Sequence, residues 1–244
     1  MTILSHNVFW FQGMPLLSNV PQALRVEVLK ALVELYGEID PDVFCFQEIQ
    51  SADVFRLLGE SLGLSGIYCS GRMLVQYGGA IFWHSRTRFV DAINVREYPQ
   101  RMWQIFTIGL GKEDNVTLCN IHLPSNRQLR KEVASRRRFE ELQAATRTFP
   151  KVVLGDFNEE PGGILSDFMN GQGYRDSAEL FGQGKRPTTI KGKRIDQIWI
   201  HELIGDWVVD YGVMTKYQLS TCIEGKTHLS DHLPVWIRLK MEKN

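Results

Sequence analysis

Two hydrophobic periods alternate along the chain. Leu24, Val28, Ala31, Leu32 and Leu35 follow helical spacing as far as Gly37, which predicts a first helix opened by Pro21. Val54, Leu57, Leu58 and Leu62 predict a second helix after Ser51. A third is predicted over residues 126–148, with Arg127, Arg130, Lys131, Arg137 and Arg138 on one broad face and Leu129, Val133 and Phe139 turned away. The plain reading of that basic face is a solvated surface. A short fourth helix follows from Pro161 at a first helical position, with Ile164, Leu165, Phe168 and Met169 inward and Gly171 and Gly173 beyond. The remaining apolar runs predict strands: "MTILSHN", "DVFCFQ", "AIFWH", "FVDAINVREY", "MWQIFTIGL", "VTLCNIHL", "KVVLGDF", "RIDQIWI", "WVVDYGVM" and "PVWIRLK". Many strands with few interspersed helices fit two packed sheets covered by helices, an arrangement that gathers strand ends and loops on one rim.

Composition refines this picture only slightly. A length of 244 residues with 43% hydrophobic and 23% charged residues predicts one domain over residues 1–244 with a sizeable core. No internal repeat or Pro-rich or Ser-rich linker divides it. Lys plus Arg and Asp plus Glu both number 28, so no net field draws polyanions and any nucleic-acid contact must rest on local patches. Cys45, Cys69, Cys119 and Cys222 are scattered, without a CxxC pair, and read as reduced thiols. The start "MTILSHNVFW" is strand-like and lacks the pattern of a secretory signal, and no apolar run approaches the roughly 20 residues that span a bilayer. A soluble, cytoplasmic, monomeric protein with no evident protein partner is the expectation.

Where apolar runs meet loops, chemistry-bearing residues recur. Asn7 ends "MTILSHN", Gln47 and Glu48 end "DVFCFQE", and His122 ends "VTLCNIH". Asp156 and Asn158 follow the run at Val152, Val153 and Leu154, Asp196 lies in "RIDQIWI", and Asp231 and His232 precede "LPVWIRLK". Singly, each has a plain explanation: an Asx turn for Asn7 or Asn158, a helix start for Glu48, a turn cap for Asp231, a satisfied core imidazole for His122. Asp196 is harder to dismiss, because a carboxylate between Ile195 and Ile198 needs a partner.

Taken in order, "SHNVFW", "FQEIQ", "NIHLPSN", "LGDFNEEP", "RIDQIWI" and "SDHLPVW" resemble the endonuclease/exonuclease/phosphatase superfamily, with its DNase I-like fold, over nearly the whole chain. A lone Gln-Glu or Ser-Asp-His is a weak signal; six pieces in the family's order are a strong one. The resemblance implies an α+β fold, a four-layered α-β-β-α sandwich of two packed, mainly antiparallel sheets flanked by helices, with the site at one edge. The "NIHLPSN" stretch carries His122 where the abasic-site endonuclease branch has a tyrosine motif, so the chain resembles the His-containing branch. The run "HLPSNRQLRKEVASRRRFEELQ" loosely resembles the tyrosyl-DNA phosphodiesterases, although "GDFN" stands where a Thr-containing version is typical there.

The resemblance also implies a mechanism, metal-dependent hydrolysis of a phosphoester. Charge builds on phosphoryl and leaving oxygens, which calls for a hard cation and positioned donors. Mg²⁺, with Mn²⁺ able to substitute, would be held by Glu48 with Asn7 and Asp231; no Cys/His cluster favours zinc. Asp156 would orient and deprotonate the attacking water, aided by Asn158. His232 would donate to the phosphate, its tautomer fixed by Asp196, and His122 would be a second donor. Asn7, Asn158, Asn126, Arg130, Lys193 and Arg194 are the expected substrate contacts, and Arg137 is a further candidate. Nucleic acid is the favoured substrate, given the basic helix face, the Lys191, Lys193, Arg194 cluster, and Trp10, Phe11 and Tyr77 near loops where they would stack on bases. A phospholipid, inositol phosphate or other small phosphoester is the alternative, and an inactive binding module a minor one.

Overall fold

The computed structural model describes residues 1–16, 23–93, 99–110 and 114–240. One sheet contains β1 (Thr2–Asn7), β2 (Val43–Ile49), β3 (Ser65–Cys69), β4 (Gly78–Trp83), β11 (Val208–Val213) and β12 (Val235–Leu239). The other contains β5 (Arg88–Ile93), β6 (Met102–Gly109), β7 (Asn115–His122), β8 (Val152–Asp156), β9 (Tyr174–Asp176) and β10 (Asp196–His201). Their strand orders are β11-β12-β1-β2-β4-β3 and β5-β6-β7-β8-β10-β9. Pairing is antiparallel except at the centre of each sheet, where β1 runs parallel to β2 and β7 to β8. Helices α1 (Val26–Tyr36) and α2 (Ala52–Leu62) cover the first sheet, and α3 (Lys131–Thr146) and α4 (Ile164–Gly171) the second. This is the α-β-β-α sandwich expected, in the DNase I-like form. A four-residue α5 (Ser177–Leu180) packs on β10.

Alternation along the central strands decides which side chains share a layer. Leu118 of β7, Val152 and Leu154 of β8, and Ile198 and Ile200 of β10 belong to the core between the sheets. The intervening Ile121, Val153 and Trp199 pack instead beneath α3 and α4 with Leu142, Leu165 and Met169. Each such buried side chain contributes about 1.5–3 kcal/mol of transfer free energy. The same alternation carries His122, Asp156 and Asp196 into the inter-sheet layer at its polar end. Below them Gln47 Nε2 donates to Asn120 Oδ1 across the sheets at 2.7 Å, a buried polar tie.

Several local expectations hold and several need correction. Ser51 caps α2, accepting from Val54 N at 3.3 Å, and Gly63 ends the helix at φ 66°. Pro21, placed at the start of the first helix, and residues 94–98 of "FVDAINVREY" lie outside the described residues. The third helix begins at Lys131 rather than 126, because residues 126–130 form turns, so Arg127 and Arg130 are not on its face. Arg138 is buried and paired with Glu159 at 3.1 Å, so the basic face is narrower than expected. The fourth helix starts at Ile164, three residues past Pro161, and Ile164 is 51% exposed rather than inward. Strands β3 and β9 were not anticipated: one is only half buried and the other has three residues, and neither leaves a clear period. Trp10 and Phe11 are buried, not loop-exposed, in a tight turn whose residues Phe9, Trp10 and Phe11 all have positive φ. All four cysteines are unpaired. Among the described residues no helix is long and apolar enough to cross a membrane.

Candidate active site

Cross-strand register builds the site before any side chain is considered. His122 lies opposite Asp156, and Asp156 opposite Asp196, so the three form a row across the ends of β7, β8 and β10. The facing sheet supplies Asn7 from the end of β1 and Glu48 from β2. Glu48 sits at a register shift between Gln47 and Ile49, with φ 64°. A left-handed conformation costs a non-glycine residue roughly 1–2 kcal/mol, and here it accompanies the bulge that aims the carboxyl into the site. The loop before β12 brings Asp231 and His232. It is fastened by Ser230 Oγ, which donates to Asn7 O at 2.8 Å and accepts from His232 N at 3.1 Å.

Asp156 is the centre of the arrangement. Its Oδ2 accepts from Asn7 Nδ2 at 3.1 Å and its Oδ1 from the backbone N of Asn158 at 2.8 Å. Asn158 takes φ 51°, which asparagine tolerates, and its side chain donates to Leu123 O at 3.0 Å. His232 Nδ1 lies 2.9 Å from both Asp196 oxygens, while its Nε2 faces Asp156 Oδ2 at 3.9 Å and Asp231 Oδ1 at 3.7 Å. Thr188 Oγ1 donates to Asp196 Oδ2 at 2.9 Å and accepts from the Asp196 backbone N at 3.0 Å, locking the carboxylate. His122 Nε2 is 3.2 Å from Asp156 Oδ2 and 3.9 Å from Glu48 Oε1.

Burial and charge set the protonation of these groups. Burial alone would discharge His232, but Asp196, Asp231 and Asp156 outweigh it and hold the imidazolium well above its ordinary range. Burial also opposes the Asp156 charge, and His232, His122 and Arg101 more than offset this, keeping the carboxyl below the usual carboxylate range. Asp196 is raised by burial to about 6 and is still ionised at neutral pH. Burial, reinforced by Arg101, pulls His122 down to about 3, so its ring is neutral. Glu48 is pushed up to about 7 by burial, against the pull of Arg101.

These residues fit a divalent cation. Four buried carboxyl groups, Glu48, Asp156, Asp196 and Asp231, face two buried cations, Arg101 and protonated His232, an excess of acids that a bound cation would offset once Glu48 is ionised. Glu48 Oε2 and Asp231 Oδ1 are buried and lack hydrogen-bond partners. Glu48 and Asp231 offer the carboxylate oxygens a hard cation prefers, and Asn7 lies beside them, buried and outside the cup lining rather than in reach of substrate as expected, with its Oδ1 accepting from Phe9 N at 3.1 Å. Asp156, Asp196 and His232 also present ligand atoms within 4.8 Å of one another. That grouping is accounted for by the His232–Asp196 hydrogen bond, which occupies Nδ1.

The site opens into a cup of about 370 Å³. Its lining includes Phe9, Trp10, Tyr77 and Arg101, together with Ser125, Asn126, Arg127, Thr189, Lys191, Lys193 and Ile195. Of the expected substrate contacts, Asn158, Asn126 and Lys193 line the cup, and the Asn126 Oδ1 accepts from Arg138 at 3.0 Å. Arg130 does not line it: with α3 starting later than expected, Arg130 is the exposed residue preceding the helix. Arg194 does not either, being 5% exposed and paired with Asp176 at 2.6 Å. Arg137 is engaged with Glu141 at 2.9 Å. Sequence reasoning missed Arg101 and Thr188. Arg101 precedes β6, whose Met102 pairs with His122, and that pairing is invisible in "QRMW". Thr188 precedes its partner Asp196 by eight residues in a loop without a period.

The two packed sheets and this cluster of acids, amides and imidazoles define a class of phosphoester-hydrolysing folds. The Endonuclease/Exonuclease/phosphatase family model matches residues 4–232, and the chain belongs to that family. It is similar to the human Nocturnin catalytic domain with bound sulfate anion, at 19% identity and a TM-score of 0.70 over 99% of this chain and 94% of that one. A Bacteroides thetaiotaomicron mannosyl-6-phosphatase gives 18% and 0.70 over 98% and 99%. A truncated Caenorhabditis elegans TDP2 gives 19% and 0.66 over 98% and 96%. At such identities the likeness establishes the fold alone. A comparison with curated protein sequences found no match.

Proposed function

We propose that the protein is a Mg²⁺-dependent phosphodiesterase, with nucleic acid as its substrate class. One observation carries the reading: Asp156 is held ionised between two amide donors, beside an imidazolium fixed by Asp196, at the floor of an open cup with two unpartnered carboxyl oxygens. Asp156 orients a water for attack on phosphorus. A carboxylate with so low a pKa is a weak base, so proton transfer to it follows the build-up of P–O bonding rather than preceding it. The new P–O bond forms as the bond to the leaving oxygen breaks. His232 donates to a phosphoryl oxygen and stabilises its developing charge. Glu48, with Asp231 and Asn7, would hold Mg²⁺, which supplies Lewis-acid polarisation of the phosphate.

Nucleic acid is favoured by the makeup of the walls. Trp10 and Tyr77 meet edge to face, their centroids 5.1 Å apart, beside the reacting centre, and Arg127, Lys191 and Lys193 also line the cup. Phosphates flanking the scissile one would meet these basic side chains, while the buried Trp10 and Tyr77 give the cup a rigid apolar edge rather than an open stacking platform. A small phosphoester is the second reading, supported by the withdrawal of Arg194 into an ion pair, which shortens the basic track. The test is hydrolysis of single- and double-stranded DNA, RNA, phosphotyrosyl-DNA, sphingomyelin, inositol phosphates and a chromogenic diester, with Mg²⁺, Mn²⁺ or EDTA. Metal-dependent cleavage of a nucleic acid is expected. Turnover confined to small esters would select the second reading, and none anywhere would refute both.

A further inference from the structure

Arg101 is a buried cation in an unusual setting. It is 4% exposed yet lines the cup, and no carboxylate among the described residues forms an ion pair with it. Its guanidinium carbon lies 4.3 Å from the Tyr77 ring centroid. Its Nη2 donates to Gln128 Oε1 at 3.3 Å, and Gln128 Nε2 donates in turn to the Tyr77 hydroxyl at 2.6 Å. Tyr77 is itself pressed against Trp10, whose indole N donates to Gln76 O at 2.9 Å. The guanidinium plane is thus fixed by a ring and an amide, both neutral, while its Nε is buried with no hydrogen-bond partner. A desolvated cation is costly unless it meets an anion, and this one faces the cup in which Glu48 and Asp156 lie.

Its remaining contact changes the reading of His122. Arg101 Nη1 touches His122 Nε2. The same Nε2 lies 3.2 Å from Asp156 Oδ2, so one ring nitrogen faces both the guanidinium and the carboxylate, while Nδ1 is buried with no hydrogen-bond partner. His122 is completely buried and does not line the cup. His122 therefore has no open path to a phosphoryl oxygen in the cup, whereas Arg101, which touches it, lines that cup.

Resting on the phosphodiesterase reading, we infer that Arg101 is a further catalytic residue, a guanidinium clamp on a non-bridging oxygen of the scissile phosphate, and that His122 is a positioning residue behind it. The clamp keeps its protons throughout. It neutralises charge that grows as water adds to phosphorus and the leaving oxygen departs, the task sequence reasoning gave to His122.

Two measurements on the full chain with Mg²⁺ test this: inorganic phosphate binding by calorimetry, and turnover of bis(p-nitrophenyl) phosphate. Arg101→Ala is expected to weaken phosphate binding by about 10-fold or more and to lower kcat by roughly 10²–10³-fold. Added guanidinium should restore part of that turnover and methylammonium should not. Arg101→Lys, which keeps the charge if Arg101→Ala does not fold, should still lose most of kcat because it lacks the fork. His122→Asn is expected to cost less than Arg101→Ala and to show no rescue. Folded Arg101 variants with wild-type phosphate affinity and kcat would overturn the inference while leaving the phosphodiesterase reading standing. Arg101-dependent phosphate binding without any diester turnover in the wild type would uphold the anion site and refute that reading. Neither binding nor turnover in the wild type would overturn both.

Discussion

At the scale of single residues, burial tunes the site through charges that can be titrated. The Glu48 carboxyl, raised to about 7 by burial, holds a proton in the metal-free protein just below neutral pH. A metal ion must displace that proton, so apparent Mg²⁺ affinity is predicted to fall about tenfold per pH unit below 7 and to level off above it. Calorimetry in buffers of different ionisation enthalpy would register the proton released. Glu48→Gln should remove both the pH dependence and most of the affinity. Asp156→Asn and His232→Ala are each predicted to lower turnover by at least ~10²–10⁴-fold, with far smaller changes in melting temperature. Asp196→Asn should give a milder His232 defect, because Thr188 still holds the side chain while the imidazolium loses its counter-charge. If Asp196→Asn unfolds the chain but what remains folded is fully active, the residue is structural.

At the scale of elements, backbone strain marks where the strands hand over to the site. Gly155 carries φ 138°, and a Cβ placed there would lie 2.0 Å from Ile121 O, inside the β7–β8 pairing that aligns His122 with Asp156. Gly155→Ala is predicted to destabilise the fold by at least ~2 kcal/mol, read by denaturant unfolding, and to lower activity in the fraction that folds. The sequence showed β1, β2, β7, β8, β10 and β12 well, because their apolar runs are dense and a polar site residue lies at or close to one end of each. It did not show the bulge at Glu48, since a two-against-one pairing leaves no trace in the period. Nor did it show that residues 126–130 are turns, because Arg and Leu spacing there mimics a helix while the backbone is held by Ser125, whose hydroxyl accepts from Arg127 N at 3.1 Å. That error alone displaced Arg130 from the helix face.

At the scale of the whole molecule, equal numbers of acids and bases leave local geometry to decide what the cup attracts. Arg127, Lys191 and Lys193 line it, whereas Arg194 is tied to Asp176 beneath the surface. With a nucleic-acid substrate, neutralising Lys191 or Lys193 should weaken binding and flatten the slope of log affinity against log salt by about one unit per true phosphate contact. Arg194→Gln should leave that slope unchanged and lower stability instead, because it strands a buried Asp176. The eight residues expected at the catalytic centre, Asn7, Glu48, His122, Asp156, Asn158, Asp196, Asp231 and His232, converge because the family motifs mark strand ends. Arg101 stayed hidden because its partners come from three distant loops and strands. Water attack on phosphorus assisted by Asp156 can be followed in the hydrolysis of bis(p-nitrophenyl) phosphate in ¹⁸O-labelled water with Mg²⁺. Wild-type protein is predicted to place the label in the p-nitrophenyl phosphate product, at a rate that Asp156→Asn reduces by at least ~10²-fold. Label in the released p-nitrophenol, or an undiminished rate in Asp156→Asn, would contradict it.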